Sequence, residues 1–317
     1  MIKINNLVAN YTTIRGTVTA VDYVNFEIPD GVTIGIAGES GCGKTTLLKV
    51  LYGDVGYPLS IKSGSVDYGM TGAQNEEITT SNIKRYWFKH IAYIPQGSMS
   101  SLNPVLRVRE QFLDYMRPGP EQWRKLDEVK EYIKALGLPP ESIDAYPHQL
   151  SGGMRQRVMV AMASFLKPKI ILADEPTTAL DVVVQKGILL LLMDLQQQMK
   201  STILFVSHDM GVHYQISHKM FIMYAAKGVE YGDSQDVFGR PLHPYTRLLI
   251  ESLPAIGDKN MRKGVAGGPP SLWDKLAGCR FAPRCPYATD QCFVDEPVLY
   301  EYRPGHFAAC HFSERFL

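Results

Sequence analysis

Hydrophobic and polar residues alternate in the N-terminal part of the chain. Between residues 1 and 36, apolar residues such as Ile2 and Ile4, and later Val24 and Phe26, alternate with polar ones. A period of two is typical of strands with one buried face. Further short apolar runs predict strands at Val32–Ala37, Ser63–Tyr68, His90–Ile94, Ile170–Ala173, Thr202–Val206 and Met220–Tyr224. Helical periods predict helices at Thr45–Tyr52, in the second half of Pro104–Leu138, at Met154–Leu166 and at Val183–Met199.

This alternation of strands and helices favours an α/β fold with a parallel sheet. The run Ile170–Ala173 is apolar throughout, which predicts a strand buried on both faces. The polar stretches Met70–Asn82 and Gly264–Pro270 predict loops. Prolines become frequent after Phe238, so we predict two domains, residues 1–240 and 241–317.

Charge and hydropathy exclude two classes of protein. The 317 residues include 33 basic and 32 acidic side chains, a net charge of +1, so strong non-specific binding to nucleic acid is not expected. No apolar run approaches the ~18 to 20 residues that span a bilayer. The segment Met1–Asn10 lacks the regions of a signal peptide, so we expect a protein that is cytosolic or peripheral to a membrane.

A phosphate-binding loop is predicted between the strand Val32–Ala37 and the helix Thr45–Tyr52. The sequence there is Gly-Glu-Ser-Gly-Cys-Gly-Lys-Thr, which fits G-x-x-x-x-G-K-[ST]. Glycines let backbone N–H groups surround phosphate oxygens, Lys44 adds a positive charge, and Thr45 offers a hydroxyl to Mg²⁺. A glycine-rich turn without a ligand is the alternative, and the strand–helix context disfavours it. The residues expected to bind nucleotide here are Gly38, Glu39, Ser40, Gly41, Cys42, Gly43, Lys44, Thr45 and Thr46.

Two carboxylates follow the buried strand Ile170–Ala173. Nucleotide chemistry in open α/β sheets occurs at the carboxyl ends of strands. We therefore expect Asp174 to hold Mg²⁺, mostly through water, and Glu175 to polarise the attacking water. Acidic pairs also occur as solvated strand ends, but the phosphate loop favours the functional interpretation.

The segment Leu150–Gln156 predicts a second anion site. Ser151, Gly152 and Gly153 open an apolar helix, where a serine hydroxyl and the positive end of the helix dipole favour a phosphate. A simple capped turn explains the serine but not both glycines. The chain thus has two predicted phosphate-binding surfaces.

On these motifs the sequence resembles the ATP-binding cassette (ABC) ATPases over roughly residues 1–240. Leu150–Gln156 is similar to their signature motif. Gln96 resembles the Q-loop glutamine, Ala179-Leu180-Asp181 the D-loop, His208 the switch histidine, and Tyr11 the aromatic residue that stacks on adenine. The resemblance implies a P-loop NTPase core, mostly of parallel sheet, with an antiparallel β subdomain, a helical signature subdomain and a small Cys-rich C-terminal extension.

The resemblance also implies a mechanism in which two cassettes pack head to tail. ATP on one phosphate loop is closed by Ser151, Gly152 and Gly153 of the other cassette, with Gln156 and Asp181 in the same nucleotide site. Catalysis is expected from Glu175, His208, Gln96 and Lys44, and Mg²⁺ binding from Thr45, Gln96 and Asp174. Closure of the dimer would gate hydrolysis.

Several segments narrow the resemblance to peptide-import ATPases. They are Gln96–Pro104, Met223–Glu230, Pro241–Thr246 and the tail from Gly278. The implied protein is an ATPase subunit on the cytoplasmic face of the membrane, importing dipeptides or oligopeptides. Its implied partners are transmembrane permease subunits, a second ABC ATPase (in a homodimer or heterodimer) and, indirectly, an extracytoplasmic substrate-binding protein, with no nucleic acid.

Three alternative functions are also compatible with these motifs. The same ATPase could serve an oligosaccharide importer. A soluble ABC ATPase that acts on nucleic acid or ribosomes is disfavoured by the neutral charge and the single cassette. A non-hydrolysing regulatory subunit is disfavoured by the presence of Glu175.

Four cysteines in the tail follow the spacing C-x5-C-x6-C-x17-C, at Cys279, Cys285, Cys292 and Cys310. Disulfides are not expected in a cytosolic protein. Zinc sites usually contain a closely spaced pair of ligands, which is missing here, whereas four thiolates suit an iron–sulfur cluster. The family resemblance implies a structural [4Fe–4S] cluster. Zinc and four reduced buried thiols are the alternatives, with His306 and His311 as possible ligands.

Overall fold

The structure is a computed structural model, and it forms two compact units. It describes residues 1–72, 76–97, 101–114, 116, 122–253, 265, 267–274 and 277–317, the side chains of residues 122–124 excepted. Unit 1 comprises residues 1–84 and 205–317, and unit 2 comprises residues 85–204. Parts of three predicted segments, Met70–Asn82, Gln96–Pro104 and Gly264–Pro270, lie outside the described residues.

The helices and strands follow in chain order. They are β1 (Ile2–Thr13), β2 (Gly16–Ile28), β3 (Thr33–Ala37), α1 (Lys44–Tyr52), β4 (Leu59–Asp67), β5 (Ile91–Ile94), α2 (Val108–Asp114), α3 (Gln122–Ala135), α4 (Gly152–Ser164), β6 (Ile170–Asp174), α5 (Val182–Met199), β7 (Thr202–Val206), α6 (Met210–Ile216), β8 (Lys219–Tyr224), β9 (Lys227–Asp233), α7 (Ser234–Gly239), α8 (Pro244–Glu251), α9 (Asp290–Val294), β10 (Tyr300–Arg303) and β11 (His306–Ala308). Short 3-10 turns occur at Ile83–Tyr86, Pro140–Asp144, Pro147–Gln149, Ala282–Arg284 and Ser313–Phe316.

Unit 1 contains an antiparallel sheet and part of a mixed sheet. The antiparallel sheet has the order β2–β1–β4, and the strands of the mixed sheet in this unit have the order β10–β11–β9–β8–β3. β3 pairs parallel with β8, whereas β9 pairs antiparallel with both β8 and β11. Every residue of β3 is buried, as expected of a strand covered on both faces. The loop that follows β3 therefore starts from a fixed point at the carboxyl end of a buried strand.

In its described residues, unit 2 contains a parallel strand pair and the helices α2, α3, α4 and α5. β5 and β6 pair in register from Ile91 opposite Ile170 to Ile94 opposite Ala173. All five residues of β6 are buried, so the run that the sequence marks as apolar is an interior strand. β7 crosses the division between the two units.

The predicted α/β class is confirmed, and the predicted elements differ from the observed ones mainly at their ends. The helix predicted at Thr45–Tyr52 begins at Lys44, and the helix predicted at Met154–Leu166 runs from Gly152 to Ser164. The elements after residue 226 have no counterpart among the predictions. Glycines and charged residues interrupt the apolar pattern of β9, and the later elements are short and separated by prolines.

The carboxylate of Glu230 in β9 connects the tail to the sheet. This side chain is fully buried and accepts hydrogen bonds from the backbone N–H groups of Leu242 at 2.7 Å and His243 at 3.0 Å. The Nε2 atom of His306, at the start of β11, donates to the same carboxylate at 2.8 Å. Residues 205–317 thus form one unit with residues 1–84, and the boundary predicted at residue 240 stays a prediction.

Among the described residues, no helix is long and apolar enough to cross a bilayer.

Candidate nucleotide-binding site

Two glycines of the loop after β3 occupy positions where a side chain does not fit. The φ angles are 149° at Gly38 and 108° at Gly43. A Cβ atom would lie 2.1 Å from the carbonyl oxygen of Met223 at position 38, and 2.0 Å from that of Ala20 at position 43. Both obstacles are backbone atoms, which cannot rotate away. Packing therefore fixes the path of the loop, and only glycine permits it.

Lys44 lies inside this loop at the first residue of α1. Its side chain is buried, and its Nζ atom donates to the carbonyl oxygens of Gly38 at 2.7 Å and Glu39 at 2.9 Å. No side chain caps α1 at Gly43, and no acidic residue occurs in its first turn. The loop thus combines a buried cation with the positive end of a helix dipole, which is the arrangement that binds phosphate.

The other predicted residues of the loop region are placed around α1. Cys42 is buried, its Sγ atom lies 3.6 Å from the Nζ of Lys44, and burial raises the pKa of its thiol. The hydroxyl of Thr46 lies 3.5 Å from that of Tyr11, so the predicted adenine-stacking residue is close to the helix start. Thr45 is half-buried, and Ser40 and Gly41 are exposed.

A buried histidine organises the segment that contains His208. The Nε2 atom of His213 donates to the carbonyl oxygen of Ser207 at 3.1 Å. Burial lowers the pKa of His213 to about 4, so its ring is neutral near pH 7. Asp209 caps α6 by accepting hydrogen bonds from two backbone N–H groups, of which that of Gly211 is at 2.8 Å. Both contacts hold the backbone on either side of His208, whose side chain is exposed.

In unit 2, the carboxylates of Asp174, predicted to hold Mg²⁺, and Glu175, predicted to be catalytic, lie at the end of β6. Asp174 is fully buried, and its Oδ2 atom accepts a hydrogen bond from the hydroxyl of Tyr93 at 2.8 Å. The Oε2 atom of Glu175 accepts hydrogen bonds from Nε2 of Gln96 at 3.1 Å and from the hydroxyl of Thr178 at 3.0 Å. Glu175 has a φ of 48°, an uncommon value for a residue with a side chain and typical of functional sites. The structure therefore brings Gln96 and Glu175 together.

The signature segment and the D-loop are neighbours within unit 2. Ser151 is exposed and caps α4, accepting a hydrogen bond from the N–H of Met154 at 3.3 Å. Asp181 caps α5, accepting from Val184 N–H at 2.9 Å and from the preceding N–H at 3.1 Å. A Cβ on Gly153 would lie 2.8 Å from Val184, so the starts of the two helices are in close contact. Gln156, one turn along α4, is buried.

The residues predicted for Mg²⁺ supply a suitable set of donors. Thr45 belongs to unit 1, and Gln96 and Asp174 belong to unit 2. Hydroxyl, amide and carboxylate oxygens are the hard ligands that Mg²⁺ prefers. A fully buried carboxylate such as that of Asp174 is also stabilised by a nearby cation. The chemistry of these residues fits the ion.

The predicted iron–sulfur cluster is wrong. Across the described residues, which include all four tail cysteines, no three His, Cys, Asp or Glu side chains are placed to hold one metal ion. All the cysteines are free, and burial raises the pKa of Cys279 to about 11. Cys310 accepts a hydrogen bond from the N–H of Phe312, and Cys292 lies beside the hydroxyl of Thr289. The same finding gives no support to the zinc alternative.

Among the described residues, sequence reasoning missed several side chains that form hydrogen bonds with the predicted site. They are Tyr93, which contacts Asp174; Thr178, which contacts Glu175; and Tyr245 and Arg284, which contact Glu39. Thr178 lies three residues after Glu175, and this local spacing is a signal that could have identified it. Tyr245 and Arg284 are more than 200 residues from their partner, so no local pattern reveals them.

Two family models match the chain. One, described as ABC transporter, matches residues 21–178, and the other, described as Oligopeptide/dipeptide transporter, C-terminal region, matches residues 229–292.

Known proteins match at similar length. The chain is 37% identical over 298 residues to the dipeptide transport ATP-binding protein DppD of Escherichia coli (strain K12), covering 92% of this chain and 90% of that protein. It is 37% identical over 317 residues to the oligopeptide transport ATP-binding protein OppD of Salmonella typhimurium, covering 98% and 93%. The dimeric structure of a bacterial ABC transporter cassette superimposes with a TM-score of 0.62 at 27% identity, covering 74% of this chain and 99% of that one. A post-hydrolysis dimer of that cassette with ADP and Pi gives a TM-score of 0.61.

Proposed function

Because this chain belongs to the ABC transporter ATP-binding proteins of the dipeptide and oligopeptide type, we propose that it binds and hydrolyses ATP to drive peptide import. The observation that carries the ATPase assignment is the phosphate loop, in which buried Lys44 and the uncapped start of α1 meet. The relatives named above transport peptides, so the oligosaccharide alternative is not favoured.

ATP would bind with its phosphates in the loop Gly38–Gly43. Lys44 would exchange its carbonyl partners for phosphate oxygens, and the amides at the start of α1 would donate to the same anion. Tyr11 would stack on the adenine. Thr45, Gln96 and Asp174 would hold Mg²⁺, which supplies charge neutralisation at the β- and γ-phosphates when bound.

Glu175 is the proposed residue that orients the attacking water. Gln96 and Thr178 each donate a hydrogen bond to one oxygen of its carboxylate, so the side chain has a defined direction as an acceptor. Phosphoryl transfer depends mainly on positioning and charge stabilisation. A fixed acceptor for the attacking water supplies the positioning. His208 would stabilise developing negative charge, from a backbone that His213 and Asp209 hold in place.

A second ATPase subunit would complete the site. The exposed Ser151 hydroxyl and the glycines after it would contact ATP bound to the partner, with Gln156 and Asp181 supporting this surface. The dimeric cassettes with a similar fold support this arrangement. The complete transporter would add permease subunits, with this chain on the cytoplasmic face, and a substrate-binding protein outside the membrane.

The test is ATP hydrolysis by the transporter reconstituted from this chain, its co-purifying membrane subunits and a peptide-binding protein. A peptide-loaded binding protein is expected to stimulate hydrolysis, and an oligosaccharide-loaded one is not. Glu175→Gln is expected to bind ATP like the wild type and to lower turnover by about 100-fold or more, because the water loses its acceptor.

Leu190→Gln is a suitable control, since Leu190 is an exposed residue of α5 outside the site. Wild-type turnover in Glu175→Gln would remove Glu175 from its proposed role. Stimulation of ATP hydrolysis by sugars and not by peptides would refute the assignment of peptides as the transported solute.

A further inference from the structure

A tail residue forms a two-point ion pair with the phosphate loop. The two terminal nitrogens of Arg284 donate to the two carboxylate oxygens of Glu39, at 2.7 and 2.8 Å. The side chain of Arg284 is 6% exposed and that of Glu39 is 23% exposed. Paired N–H donors on one carboxylate form a strong and directional contact, and limited exposure to water strengthens it further.

Other contacts keep the guanidinium of Arg284 in place. It donates to the Tyr224 hydroxyl at 3.1 Å and to the carbonyl oxygens of Val265 at 3.2 Å and Gly267 at 3.0 Å. Tyr224 is the last residue of β8, so the guanidinium is anchored to the sheet as well as to the tail. Glu39 therefore meets a cation that cannot easily move away.

Glu39 is held at each of its polar groups. Its carbonyl oxygen accepts from Nζ of Lys44, its N–H donates to the hydroxyl of Tyr245 at 2.9 Å, and its carboxylate accepts from Arg284. Tyr245 and Arg284 both lie in the segment that matches the peptide-transporter C-terminal region, and outside the segment that matches ABC transporters. The tail thus determines the conformation of a residue in the phosphate loop.

The charge of Glu39 gives the contact a second effect. A carboxylate in a loop that binds a triphosphate repels this anion unless a cation neutralises it, and the repulsion grows with the charge of the ligand. Arg284 is that cation, and it remains charged because its partner raises its pKa even further above the usual value.

We propose that Arg284 is a positioning residue for ATP: it fixes the phosphate loop through Glu39 and neutralises the Glu39 carboxylate beside the bound phosphates. This inference rests on the proposed function, because it presumes that ATP binds at Lys44.

The test compares Arg284→Met with the double variant Glu39→Gln/Arg284→Met, in the full-length chain and in the assembled transporter. Arg284→Met is expected to raise the Kd and the KM for Mg-ATP about tenfold, because the unpaired Glu39 carboxylate repels the phosphates and makes the competent loop conformation a minor one. The Kd for Mg-ADP is expected to rise less, and kcat at saturating ATP is expected to stay within about twofold. The double variant is expected to recover most of the affinity, because no unpaired carboxylate remains.

Arg315→Met is the matched control, because Arg315 is an exposed arginine of the same tail that stacks on Phe312. Titration calorimetry gives the affinities and thermal melting reports folding. Wild-type ATP affinity in Arg284→Met would overturn the proposal. Equal losses for ATP and ADP without recovery in the double variant would also overturn it, since they indicate a structural role alone.

Should Arg284→Met fail to fold, Arg284→Lys replaces it. Lysine keeps the charge but cannot bond both carboxylate oxygens in the same way, so an intermediate loss of ATP affinity is expected. Unchanged affinity in that variant would overturn the proposal. A wild-type chain that binds no ATP would instead refute the proposed function, which separates the two failures.

Discussion

A methyl group at position 43 tests whether packing sets the path of the phosphate loop. In Gly43→Ala the new Cβ atom would lie 2.0 Å from the backbone oxygen of Ala20 and 3.3 Å from the side chain of Met223. The backbone at this position has a φ of 108°, which alanine disfavours. The loop and the strand that contains Ala20 must therefore separate, and this displaces the amides that face the phosphates.

The magnitude has two parts. A positive φ costs a residue with a side chain about 1 to 2 kcal/mol, and forcing extra atoms into a packed site costs about 1 to 3 kcal/mol. Gly43→Ala is thus expected to lower the free energy of unfolding by about 2 to 5 kcal/mol. Gly41→Ala is the matched control, because Gly41 has a φ of 79° but no atom within 4 Å of its Cβ position. Gly41→Ala should therefore lower the free energy of unfolding only by the cost of the positive φ, about 1 to 2 kcal/mol.

The assay combines urea unfolding with titration of Mg-ATP. Gly43→Ala should be less stable than Gly41→Ala by the packing part of the cost, about 1 to 3 kcal/mol. It should also bind ATP at least about tenfold more weakly than Gly41→Ala, since each 1.4 kcal/mol is a factor of ten. If the two variants are equally stable and bind ATP equally well, the reasoning from the 2.0 Å contact is refuted.

Three further predictions follow from buried and capping groups. Burial lowers the pKa values of His213 to about 4 and His243 to about 3, so their stabilising neutral state is fully present above pH 6.5 and is lost as the pH falls. Each of these two histidines should lower the free energy of unfolding by about 2 kcal/mol between pH 7 and pH 5. In His213→Gln, the free energy measured by urea unfolding should therefore depend less steeply on pH, and an unchanged slope would contradict this. Asp181→Ala should lower the free energy of unfolding, measured by thermal melting, by about 1 kcal/mol, because α5 loses its N-cap. Asp194→Ala, at an exposed position inside the same helix, should not have this effect. Lys44→Ala should abolish tight binding of ATP in calorimetry, and wild-type affinity would count against the phosphate loop.

Local patterns were sufficient for the parts of the site formed by neighbouring residues. The phosphate loop follows from one motif between a strand and a helix, and the carboxylates of Asp174 and Glu175 follow from the end of one apolar strand. The pairing of Gln96 with Glu175 is different, because 79 residues separate them. Only the parallel pairing of β5 with β6 places their carboxyl ends side by side.

The tail shows where sequence reasoning fails. The set of four cysteines and the family resemblance implied a shared cluster, but a set of residue types in the sequence does not determine whether their side chains are placed around one metal ion. The contact of Arg284 with Glu39 depends on the packing of the tail against β8, which no periodicity predicts.

The three hydrogen bonds on Glu230 have a consequence for how such a chain can change by mutation. A protein shortened to its first 240 residues would keep a carboxylate inside the sheet and lose Leu242, His243 and His306, its three donors. It would also expose the edge of β9 that pairs with β11. An unpaired edge strand can pair with other chains and so promotes aggregation. Loss of the C-terminal segment can therefore be tolerated only together with replacement of Glu230 by an uncharged residue. Descendants of this sequence that lack the segment are expected to lack the buried carboxylate as well.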